Sequence, residues 1–252
     1  MGGEVKDDRF GYGFWPYITP YILFLALGEI GLRLPESAWL PLLAAKAVLP
    51  AALIAYFFSQ GMYPELRGFA PQLRGAPMDL IVGALSGVLW MAPYLLAPAS
   101  VGETLGDVEL PLLGALWPDT SDGFDPERAG AQWAGLALGL RFVGYACVTP
   151  VFEELFIRSF VMRFAEVFNT RRDFRDVPIA HYTRQSFWAV TIFFTLGHVT
   201  WEWWVAVPWV MASSAWFYYR GHLGAVILLH AAANATILIA AVWTDGPLWF
   251  FV

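Results

Sequence analysis

Phe142-Val-Gly-Tyr-Ala-Cys-Val-Thr-Pro150-Val-Phe-Glu153-Glu154-Leu-Phe-Ile-Arg158-Ser-Phe-Val-Met162 decides the fold class. It is long enough to cross the hydrocarbon core, for which about 20 predominantly apolar residues suffice. It also carries two adjacent carboxylates and an arginine where charge is costly. The rest of the chain agrees with the first property. Of 252 residues, 58% are hydrophobic, 17% aromatic and only 14% charged, with a mean hydropathy of +0.53. Soluble domains run near 45–50% apolar and about 25% charged, so too few polar residues are present to cover a soluble surface. Disorder, collagen-like repeats and disulfide scaffolds are excluded on the same grounds. The lone Cys147 permits neither an internal disulfide nor a multi-cysteine metal site. The few basic residues do not suit a nucleic-acid partner.

Outward from that segment, apolar runs predict spans near 14–31, 38–58, 78–97, 185–199, 203–219 and 222–243, and a longer apolar stretch from about 131 to 168 that holds a span at 142–162. The expected class is all-α, a polytopic membrane protein of seven to eight transmembrane helices. Residues 1–252 form a single integral membrane domain without repeats. Helices are the expected spanning element because an open sheet leaves backbone groups unsatisfied in lipid. Met1–Gly13, with Lys6 and Arg9, precedes a first span without a small-residue cleavage site, which reads as retained. Residues 131–140 read as an added helical stretch or interfacial helix, and Arg141 as an outer flank. Arg67, Arg74, Arg171, Arg172, Arg175, Arg184 and Arg220 mark cytoplasmic loops. The acidic loop 98–129, with Glu103, Asp107, Glu109, Asp119, Asp122, Asp125 and Glu127, reads as external. Its simplest reading is a solvated loop, although its length also suits a cover over the outer face. The N-terminus is then cytoplasmic and the C-terminus external.

Ionisable residues inside spans are functional candidates. Asp79 reads as interfacial, Lys46 as snorkelling or paired with Glu29, and Glu202 as part of an aromatic belt between Trp201 and Trp203. Glu153, Glu154, Arg158, His198, His230 and Asn234, spread over three apolar helices, are harder to explain structurally. Glu154 and Arg158 stand at i,i+4, with Glu on the N-terminal side, and should pair. Glu153 lies about 100° around the helix and is left free as a proton acceptor. His230 and Asn234, again i,i+4, make a donor pair suited to an oxyanion. With Arg163, Arg184 and Arg220 as cytoplasmic markers, Glu153, His198 and His230 lie roughly 15–21 Å deep at about 1.5 Å per residue. Pro150 should open a carbonyl just before the glutamates, for water or substrate.

Glu153-Glu154-x-x-x-Arg158, Phe194-x-x-x-His198 and His230-x-x-x-Asn234 together resemble the three motifs of the type II CAAX prenyl endopeptidase family, also called the CPBP or Abi family. The resemblance covers residues 145–240 as a catalytic core. The chain is also similar to the CAAX-protease-related subgroup found with bacterial exosortase systems. The resemblance implies helices around a polar membrane cavity open toward the cytoplasm, and an intramembrane glutamate protease that needs no cofactor. Glu153 and His198 would activate water, His230 and Asn234 would bind the oxyanion, and Glu154, Arg158 and Phe194 would support them. It further implies a membrane-anchored or hydrophobic peptide or protein substrate, a lipid bilayer surround and a bacterial inner membrane. Three other readings compete: a zinc protease with Glu153, His198 and His230 as ligands, a non-enzymatic immunity or scaffold protein, and a proton-coupled transporter. The transporter reading lacks an inverted repeat.

Overall fold

The computed structural model of the protein describes residues 13–67, 73–106, 108–110, 114–119, 123–244 and 248–252. Lys6, Arg9, Asp107 and Asp122, used above for topology, lie outside them. The chain is mostly helical: α1 (Trp15–Gly31), α2 (Trp39–Ser59), α3 (Ala76–Leu96), α4 (Ala99–Gly106), α5 (Ala131–Val167), α6 (Arg184–Leu196), α7 (Trp203–Arg220) and α8 (Leu223–Thr244). The acidic segment adds a pair of two-residue antiparallel strands, Glu109–Leu110 with Gly114–Ala115. Among the described residues, four helices are long and apolar enough to cross a membrane: Glu36–Ser59, Leu73–Leu96, Ala131–Val167 and Leu223–Thr244. This is an integral membrane protein.

Helix α5 takes in nearly the whole apolar stretch 131–168 and so extends beyond the span expected at 142–162. It runs without a break through 131–140 and covers 37 residues, roughly 55 Å at about 1.5 Å per residue. That exceeds a hydrocarbon core of about 30 Å, so α5 must tilt or project from it. Arg141 is therefore not a flank but part of the helix interior. Two π-helical stretches, Phe142–Val148 and Leu155–Val161, bracket Thr149–Glu154. Such widenings bring extra residues onto a face and recur at functional sites.

Helices α3 and α8 touch backbone to backbone. A Cβ on Gly83 would lie 2.2 Å from the Leu229 carbonyl oxygen, and one on Gly87 2.6 Å from that of Ala233. Small residues four apart are what close helix packing in lipid needs. Here they hold the stretch of α8 that bears His230 and Asn234.

Two ion pairs are buried and one expected pair is replaced. Asp79, read as interfacial, is fully buried within the protein. It pairs with Arg220 of α7 and accepts the Trp216 indole N–H at 2.8 Å. Arg163, read as a cytoplasmic marker, is 4% exposed and pairs with Glu65 from the 60–67 turn at 3.3 Å. Ser159 also donates to Glu65, and the Tyr17 hydroxyl reaches both that carboxylate and the Met62 carbonyl. Glu29 pairs with Arg33 at 3.6 Å on the surface, not with Lys46.

At the other end of the bundle the described part of the acidic segment packs on the helices through its aromatic residues, while Asp119, Asp125 and Glu127 are exposed. Phe124 packs on Trp39 and Trp249, Trp117 on Tyr94, and Arg128 pairs with Glu36. The Phe124 amide donates to the Trp249 carbonyl, so the C-terminal turn is part of the same cap.

Candidate active site

A cavity of about 420 Å³ lies among α1, α2, α3, α5, α7 and α8 and the turn after α6. Glu153, His198, His230, Asn234 and Phe194 all line it, whereas Glu154 and Arg158 do not. Lys46, Arg141 and Glu202 line it as well. Lys46, Arg141 and Glu202 fall toward the end capped by the acidic segment and the C-terminus, whereas Glu153 and His230 lie on the other side of the midpoints of α5 and α8. The Arg-rich loops are at the other end. The lining thus does not place the cavity at the face where the sequence led us to expect its opening. Depths of roughly 15–21 Å from the Arg-rich end already lie at or beyond the midplane of a core about 30 Å thick.

Each side chain is positioned by a local cause. Pro150 has no N–H, so the carbonyl that its place in a π turn would pair, that of Tyr145, is orphaned. The preceding bond of that turn, from the Thr149 amide to the Gly144 carbonyl, is intact. Asn234 supplies the missing donor: its Nδ2 bonds the Tyr145 oxygen at 2.8 Å. The carbonyl expected to admit water or substrate is thus closed by the protein itself, which pins Asn234. A carboxamide nitrogen carries two hydrogens, so one remains for the cavity.

Helix α6 stops at Leu196, with the Gly197 amide donating back to Phe193 and Phe194. His198 therefore stands just beyond the helix. Its Nδ1–H donates to the Phe194 carbonyl at 2.8 Å, which fixes the tautomer and leaves Nε2 as the basic nitrogen. The Phe194 ring lies 4.4 Å from the imidazole and stacks on Trp209. The Trp209 indole donates to Ser86 and stands edge-on to His230.

His230 bridges the two glutamates. Its Nδ1–H donates to Glu154 Oε1 at 3.0 Å, and its Nε2 stands 3.7 Å from Glu153 Oε2. Glu154 and Arg158 are 1% and 0% exposed, and Arg158 Nε lies 3.7 Å from Glu154 Oε2. That is an ion pair beyond hydrogen-bond length, with the π turn opening between its partners. Arg158 Nη2 donates to Ser213 of α7 at 2.7 Å. Glu154 is thus turned inward to a cation and an imidazole, while Glu153, with an 18% exposed side chain, faces the cavity.

Sequence reasoning missed three cavity groups. Glu202 is not in an outer belt but lines the cavity near Trp90. Lys46 lies over the Phe24 ring, 4.5 Å from its centroid, and Arg141 over Phe124 and Tyr145. Each is an ionisable residue inside an apolar run, and that was the available signal. Among the described residues no three His, Cys, Asp or Glu side chains converge closely enough to hold a metal ion.

Residues 135–236 match the family model for the Type II CAAX prenyl endopeptidase Rce1-like group. The matched stretch contains all seven residues singled out by motif. No curated protein and no solved structure matches the chain.

Proposed function

We propose, from the Rce1-like character of residues 135–236, that the protein is an intramembrane endopeptidase acting on a membrane-anchored or hydrophobic peptide or protein. The bundle would cross a bacterial inner membrane seven times with its N-terminus in the cytoplasm, the shorter α1, α6 and α7 completing the set. The observation that carries the activity is the division of the glutamate pair. Glu153 faces a cavity shared with His198, His230 and Asn234, while Glu154 is held inside by Arg158 and His230.

In this reading Glu153, assisted by His198 Nε2, takes a proton from water as its oxygen attacks the scissile carbonyl carbon. The oxyanion is met by the free Asn234 N–H and by a proton carried at the Nε2 edge of His230. The proton held at Glu153 passes to the leaving amide nitrogen as the C–N bond breaks. Glu154 and Arg158 position His230, and Phe194 positions His198. No metal enters these steps.

The test incubates purified protein with membrane-anchored peptides and reads products by mass spectrometry for wild type and Glu153→Ala, with and without exhaustive chelation. Cleavage by wild type alone, undiminished by chelation, is expected. Loss of cleavage on chelation would favour zinc, and no cleavage of any peptide would favour a non-enzymatic partner.

A further inference from the structure

Lys46 and Arg141 both line the cavity that holds Glu153, His198 and His230. No carboxylate among the described residues pairs with either. Aromatic faces are their neighbours: Phe24 beneath Lys46, and Tyr145 and Phe124 beneath Arg141. The Arg141 Nε is buried and makes no hydrogen bond. Elsewhere this protein matches each buried arginine to a carboxylate: Arg158 to Glu154, Arg163 to Glu65, Arg220 to Asp79. Two cations in one buried cavity with no carboxylate partner are costly unless an anion joins them.

We propose that Lys46 and Arg141 form a subsite that binds a carboxylate of the substrate. The inference rests on the endopeptidase reading above. Arg141 stands twelve residues before Glu153 on α5, roughly 18 Å at about 1.5 Å per residue. A carboxylate held there lies about five extended residues from a bond at Glu153, at about 3.3 Å each. It comes from the substrate's C-terminus or from an acidic side chain within that reach. A guanidinium suits it through two parallel N–H donors, and the lysine adds a point charge.

The experiment separates this subsite from the chemistry. Binding is measured on Glu153→Gln, which cannot turn over, and cleavage on wild type. The probe is a dansyl-labelled pentapeptide of leucine, valine and alanine. It is prepared as the free acid, as the C-terminal amide, and as the amide with one residue replaced by glutamate. One of the two carboxylate forms should bind roughly tenfold or more tighter than the plain amide, the scale of a charge-assisted hydrogen bond. Which form it is names the source. The preference should vanish on adding Lys46→Met or Arg141→Gln and return in part with Arg141→Lys, which also controls for folding. Equal binding of all three peptides would overturn the proposal, as would a preference that survives both neutral variants. So would peptide-indifferent binding that appears only in phosphatidylglycerol nanodiscs, which would assign the cations to a lipid phosphate. Absent cleavage by wild type with the carboxylate preference intact would fault the endopeptidase reading and not the subsite.

Discussion

Glu153 and Glu154 are chemically identical neighbours that the fold sets to different tasks. Glu153→Gln keeps the shape but cannot accept a proton, so single-turnover cleavage should be abolished with the melting temperature near wild type. Glu154→Gln weakens the contacts to Arg158 and His230 together, and the melting temperature should fall first. A buried pair broken by removing one partner costs about 3–5 kcal/mol. A Glu154→Gln protein with wild-type melting and no turnover, beside an active Glu153→Gln, would reverse the two roles. Asn234→Ala should slow turnover roughly 10²–10³-fold, the usual loss for one oxyanion donor. It should also destabilise by about 1–3 kcal/mol because the Tyr145 carbonyl loses its partner. Denaturation and kinetics on the same preparation read both effects.

Among the elements, α5 and α3 make the clearest commitments. Pro150→Ala restores an N–H that can satisfy the Tyr145 carbonyl from within α5. The helix should become more regular, Asn234 should lose its anchor, and turnover should drop while thermal stability holds or rises. Unchanged turnover would mean that the proline does not position Asn234. Gly83→Ala puts a methyl into the Leu229 backbone. Backbone cannot swing aside as a side chain does, so the loss should reach or exceed the upper part of the 1–3 kcal/mol range typical of overpacking. The equivalent change at the exposed Gly135 of α5, where a Cβ meets nothing within 4 Å, should be nearly silent by the same melting assay.

At the scale of the whole molecule, charge divides between the two ends. Arg171, Arg172, Arg175 and Arg184 gather at one end, and the acidic cover with the C-terminal turn closes the other, over the cavity. Under the proposed orientation, with the basic end cytoplasmic, the covered end of the cavity would face outward. Replacing the only cysteine, Cys147, by serine makes this measurable. In that background Asp125→Cys should react with a membrane-impermeant maleimide on intact cells, and Arg171→Cys only after permeabilisation. The reverse pattern would invert the protein and turn that covered end to the cytoplasmic face.

The sequence by itself determined the membrane class, because long apolar runs must satisfy their backbone internally in lipid. It also determined which polar residues were out of place, and the Glu154–Arg158 pairing, because i,i+4 neighbours share a helix face whatever surrounds them. Only the tertiary structure decided which buried charges meet. Glu65 finds Arg163, Asp79 finds Arg220, and Asn234 finds the carbonyl that Pro150 leaves open, across separations of 98, 141 and 89 residues. The same holds for Glu202, Lys46 and Arg141 turning into the cavity. A buried charge or orphaned carbonyl demands a partner, but the demand does not say which one. That choice belongs to helix rotation and to close approaches such as that at Gly83, which arise between segments far apart along the chain.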